Sequence, residues 1–234
     1  TPPKQATPAL GIRPDCNLAA ATMPVSVYRC PSAPARGSIT QIPASSDNDS
    51  GRQTITALRV PLGFTDYECM TGVKSGVLPA PDPYASDAKG NGFLVKDAIT
   101  QMREVIDGLS KTMLIVECAG RPLTYRVGRQ RTIPATGAPW IFDQGVGWAD
   151  SLGPFKLDSI DASKSAVNTM KGAPPGTGAA MNATNEGECY SFHQGAMAAV
   201  FGDTSTRMLD QAIDLRVFCG IITRAGGENV ELPQ

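Results

Sequence analysis

The stretch that most constrains this chain is Ala196–Leu209, AMAAVFGDTSTRML. Ala196–Phe201 is a run of small and apolar residues. Gly202-Asp203-Thr204-Ser205 supplies turn conformations and local hydrogen bonds, and Thr206–Leu209 returns as a partner strand. A hairpin of this kind needs a sheet around it and a layer to cover its buried face. The layer is written next in the sequence. Asp214 is placed to cap a helix running to about Arg224, and Leu215, Phe218, Cys219 and Ile222 fall at i, i+3, i+4 and i+7 as one apolar stripe. Gly226-Gly227 then offers a left-handed stop.

The remainder reads as β-rich and heavily looped. With 24 Gly, 19 Pro and charged residues at 18%, the composition favours turns over helical bundles. VSVYRC (25–30) reads as a short strand stopped by Pro31 and Pro34, and strand material also lies within TITALRVPLGFTDYECM (54–70). Asp107-Gly108 marks a turn, followed by a strong strand over Thr112–Cys118. Residues 45–51, 78–92 and most of 133–187 read as loop. Residues 1–24, punctuated by proline, are expected to form an extended arm able to add to a sheet edge of a neighbouring copy. Residues 25–234 then form a single domain of α+β class, mainly antiparallel β with long loops and a short C-terminal helix.

Several function classes are disfavoured. Twenty-one basic against twenty-two acidic residues leave a net charge of -1, so no basic field is available for nucleic acid. No apolar run approaches the roughly 18 residues needed to span a bilayer. Phosphate-binding glycine loops and nucleophile elbows are absent from the sequence, and no cofactor is expected. His193 is the only histidine, with Ser191 two residues before it and Asp203 ten after. In a straight strand, Asp203 would stand roughly 20 Å from the histidine end. A triad is therefore not expected, and His193 is assigned to the scaffold with no metal and no catalytic residue. Glu186 and Glu188 read as a solvated loop. Asp82, Asp87 and Asn91 depart from calcium-loop spacing. Trp140, Phe142 and Trp148 could stack on sugar. Asn48 and Asn182 head N-glycosylation triplets, so glycans are possible. Cys16, Cys30, Cys69, Cys118, Cys189 and Cys219 contain no C-x-x-C pair. They are either buried thiols or up to three disulfides.

Three ordered motifs resemble one family. YSFHQGAMAAVFGDT (190–204) looks like the signature of prepilin-type proteins named for an H-x9-D-G motif, numerous in planctomycete bacteria and catalogued as a domain of unknown function. His193 and Asp203 match its first two fixed residues, while Thr204 stands where the family has Gly. VYRCPSAP (27–34) resembles the family's apolar-Cys-Pro-Ser segment. Asp107, Gly108, Ser110 and Thr112 resemble its D-G-T-S-N-T strand entry.

The resemblance implies a pilin-like β-rich head, export, a non-enzymatic structural role and self-assembly into a filament or pseudopilus. It also tips the cysteines toward disulfides. The family's apolar N-terminal helix is absent from this sequence, so membrane attachment would need a helix removed beforehand, or assembly by another route.

Overall fold

The structure is a computed structural model that describes residues 18–35, 63–84, 87–95, 98–121, 123–132, 147–149, 153–164, 170–186 and 188–228. Its centre is a five-stranded sheet of β1 (Tyr67–Val73), β2 (Met113–Glu117), β5 (Phe155–Leu157), β6 (Ala196–Phe201) and β7 (Thr206–Asp210), in the order β5-β1-β2-β6-β7. All neighbours run antiparallel except β1 and β5, which run parallel. A small second sheet pairs β3 (Thr124–Arg126) with β4 (Gln130–Thr132). The helices are α1 (Leu18–Ala21), α2 (Asp87–Gly90) and α3 (Leu215–Ile222). This is the α+β architecture expected from the sequence.

One face of the large sheet makes the core. Met197, Ala199 and Phe201 of β6 alternate inward and meet Met70, Met113 and Val116. Phe218, Cys219, Ile221 and Ile222 of α3 close the layer. Asp214 caps α3, its Oδ1 accepting from the amides of Arg216 and Val217 at 2.8 and 3.2 Å. The opposite face carries Tyr67 and Cys69 of β1, Ile115 and Glu117 of β2, and Ala198 and Val200 of β6. Register brings Tyr67 across from Glu117, Cys69 across from Ile115, and Ile115 across from Val200.

Four local expectations are corrected. Residues 25–30 do not form a strand. Ser26–Tyr28 is a 3-10 turn closed by Tyr28 N–H to Val25 O and Arg29 N–H to Ser26 O. No strand lies alongside among the described residues, so the backbone satisfies its donors locally. Within the arm, the described part opens with the single helical turn α1 rather than extended chain, and Ala21 is buried. α3 stops at Ile222, two residues early, because Thr223 becomes extended and bridges Gly92, while the Arg224 amide donates to Asn91 O. The left-handed residue comes later, at Gly227 (φ 81°). Finally, Cys30, Cys69, Cys118, Cys189 and Cys219 are all free thiols. No disulfide joins them, and Cys16 lies outside the described residues. Cys118 donates to Glu188 O, and Cys189 packs against the Met70 sulfur at 3.9 Å. No described helix is long and apolar enough to cross a membrane.

Candidate functional site

Three segments far apart in sequence meet where the open face of the sheet ends. The first is the turn carrying Cys30 and Ser32, the second the last residue of β2, Glu117, and the third the approach to β6, His193. The Cys30 amide donates to Asp66 Oδ2 and the Gly120 amide to Asp66 Oδ1, each at 2.9 Å, so one buried carboxylate pins the N-terminal turn to the sheet. Tyr190 N–H to Glu117 O and Ala119 N–H to Tyr190 O lock the approach to His193 against the end of β2. Ser191 Oγ accepts from the backbone amide of His193 at 3.0 Å and is therefore a backbone ligand.

The ring of His193 faces three side chains. Its Nε2 lies 3.5 Å from Cys30 Sγ and 3.5 Å from Glu117 Oε1, and its Nδ1 lies 3.2 Å from Ser32 Oγ. Glu117 is wholly buried while the His193 side chain is 31% exposed, so the cluster opens to solvent through the ring. Glu117 Oε2 accepts from the Ala198 amide at 2.8 Å, while Oε1 has only the Cys30 thiol and the His193 ring beside it. Burial, then the neighbouring Glu117 carboxylate, pushes the Cys30 thiol up to about 11. Burial, then Cys30 and Glu117, also drives the Tyr67 phenol well upward.

This arrangement is not a nucleophile relay. In a Cys-His-carboxylate triad the thiol and the orienting acid sit on opposite ring nitrogens, and the thiol pKa is depressed. Here sulfur and carboxylate share Nε2, and the thiol is held protonated.

Asp203, ten residues after His193, stands beyond the other end of β6, in the turn. Its Oδ1 accepts from the Ser205 amide at 2.9 Å and the Ser205 hydroxyl at 2.6 Å, which holds the carboxyl below its usual range. The Gly202 amide donates to Thr112 O and the Asp203 amide to Leu109 O. The turn therefore rests on the segment between Asp107 and Thr112. Asp107 accepts from the amides of Gly226 and Gly227 at 2.8 and 3.0 Å, latching the chain that leaves α3. Gly108 takes φ 99°, and its carbonyl accepts from Thr112 Oγ1. Ser110 lies in the same turn, before β2. These residues form a strand-end brace.

Other candidates change character. Glu188 is buried rather than solvated. Its Oε1 accepts from the Asp158 amide, its Oε2 accepts nothing, and burial drives its pKa well up. Asp82 accepts from the Gly76 and Tyr84 amides and the Ser75 hydroxyl, closing a local turn. The Asn182 amide nitrogen donates to Gln211 Oε1, so a glycan there would cost that bond. Asn48, Trp140 and Phe142 lie outside the described residues.

Sequence reasoning missed Glu117 and the partnership with Cys30. A usable signal existed: Glu117 is the one carboxylate within an otherwise apolar strand, MLIVE.

Beside the cluster, the open face of the sheet forms a groove of about 370 Å³ lined by Val27, Tyr28, Tyr67, Ile115, Trp148 and Val200 among others. Trp148 Nε1 donates to Met23 O, and its ring lies 6.3 Å from that of Tyr28 at 42°.

Residues 3–216 match the family described as "Protein of unknown function (DUF1559)". The chain belongs to that family. No curated protein and no solved structure matches it.

Proposed function

We propose that this family member is a non-enzymatic structural subunit of an extracellular or cell-surface filament or pseudopilus, built from copies of itself. The observation that carries the reading is the apolar groove on the open sheet face. Val27 is 75% exposed and Met23 61%, with Tyr28, Trp148 and Ile115 continuing the apolar surface. A surface of this kind marks an interaction site. The spacing His193-x9-Asp203 supports the same reading, because it resembles the prepilin-type signature. Burial pushes the Cys69 and Cys219 thiols up to about 11 and about 12. Protonated thiols react slowly, so an exported head can carry them unbridged.

The test is light scattering and negative-stain microscopy across a wide concentration range. Concentration-dependent assemblies that Val27→Lys disperses are expected. Monodisperse single particles at every concentration overturn the reading.

The Tyr28–Trp148 pair favours one other reading, a surface module that stacks a sugar ring in a groove of ligand size. Polysaccharide binding lost in Trp148→Ala, with the protein monomeric throughout, would select it.

A further inference from the structure

We infer that Cys30, Glu117 and His193 form a zinc site, with the fourth position open to water or an added ligand. Three observations converge on it. The ligand types fit, since zinc takes thiolate, imidazole and carboxylate, most often four-coordinate. The spacing fits as well. A tetrahedral ion with bonds of about 2.3 Å to sulfur and about 2.0–2.1 Å to nitrogen and oxygen holds S and N about 3.6 Å apart, and N and O about 3.4 Å apart. The observed separations are 3.5 Å for Cys30 Sγ to His193 Nε2 and 3.5 Å for His193 Nε2 to Glu117 Oε1. All three ligand atoms lie within 4.8 Å of one another.

The third observation is electrostatic. Glu117 is a fully buried carboxylate whose Oε1 has only the Cys30 thiol and the His193 ring beside it, the other two ligands. A buried carboxylate oxygen left in this way is costly unless a cation completes it.

The outer shell is set for the same purpose. With a proton on Nδ1, the ring donates to Ser32 Oγ and turns the Nε2 lone pair inward. Asp66 holds the backbone of Cys30 in place. On binding, the Cys30 S–H bond breaks, its proton leaves to solvent, and the sulfur lone pair forms the metal bond. The ion would tie the 25–35 turn to β2 and to the start of β6. The lone histidine of the chain thus acquires a task that the scaffold role left unspecified.

The experiment uses the full chain, stripped with chelator and titrated with zinc chloride by calorimetry, then with cobalt(II) as an optical probe. One equivalent should bind, the melting temperature should rise, and cobalt should show a thiolate charge-transfer band. Cys30→Ser and His193→Gln should each weaken binding at least about 100-fold, beyond the roughly 10- to 100-fold typical of losing an outer hydrogen bond. Ser32→Ala should weaken it about 10-fold, and Cys69→Ser should bind as the parent does. Circular dichroism of each metal-free variant separates lost ligands from lost fold, and Ser32→Ala carries the test should a ligand variant not fold. Absence of stoichiometric zinc in the parent, or binding as tight as the parent's in Cys30→Ser and His193→Gln, overturns the proposal.

Discussion

The two ends of β6 are built on opposite principles. At the Asp203 end, the carboxylate, the Ser205 hydroxyl and the amides of Gly202, Asp203 and Ser205 all find partners within the turn or on the segment that supports it. At the His193 end, a buried carboxylate has only a protonated thiol and a half-buried ring beside its Oε1. The first end is locally complete and specifies where the chain turns. The second is assembled from three distant segments and is the place where the proposed zinc would bind. Two residues ten apart in sequence, at the two ends of one strand, therefore need not belong to one site. The strand between them joins a fold determinant to the proposed binding determinant.

That contrast can be broken most sharply at Gly202. A Cβ there would lie 2.4 Å from the Phe93 ring and 3.1 Å from Leu109 O. Gly202→Val should cost about 3 kcal/mol in urea denaturation; a cost near zero would mean the turn is not tightly seated. The next effect has the opposite sign. Thr204 sits at φ 69°, where a β-branched residue is strained, so Thr204→Gly should add about 1 kcal/mol.

At the His193 end, Glu117→Gln replaces a fully buried carboxyl side chain with a neutral one of the same shape. It should leave the metal-free protein equal or more stable by about 0.5 kcal/mol, while abolishing any stabilisation by zinc. A loss comparable to that of Gly202→Val would erase the distinction between the two ends.

The smallest effect is the pH response of Asp203. Its folded pKa lies below the ordinary 3.8, so its contribution is present above that pH and is lost as pH falls through the lower folded value. Asp203→Asn should melt slightly earlier than the parent above pH 3.8 and converge with it in more acid solution. Parallel profiles down to strong acid would show that the turn does not depend on the charge.

The hairpin, its turn and the Asp214 cap were legible because each rests on contacts within a few residues: alternation, turn chemistry and a side chain reaching its own helix. The 25–30 segment misled for the complementary reason. Its apolar alternation is strand-like, but a strand needs a partner, and the neighbourhood of Tyr28 and Cys30 is set by Asp66, 36 residues beyond Cys30. Glu188 misled because a Glu-rich, Gly-flanked stretch looks solvated, whereas Asp158 and the core bury it from 30 residues away. The cluster around His193 spans 163 residues of chain, and no periodicity reports contact over that range.

The strand order has a temporal side as well. Within the five-stranded sheet, β6 and β7 are the one pair joined by a short turn, and they are also the last strands synthesised. β1 must wait about 40 residues for β2, and β2 about 80 more for β6. Contacts of such long sequence separation make folding slow, in the millisecond-to-second range. Three adjacent strands, β5, β1 and β2, are present by residue 157, and the sheet is complete once residue 210 is out. The core face of that sheet is covered later still, when α3 follows the hairpin and brings Phe218, Ile221 and Ile222 against it.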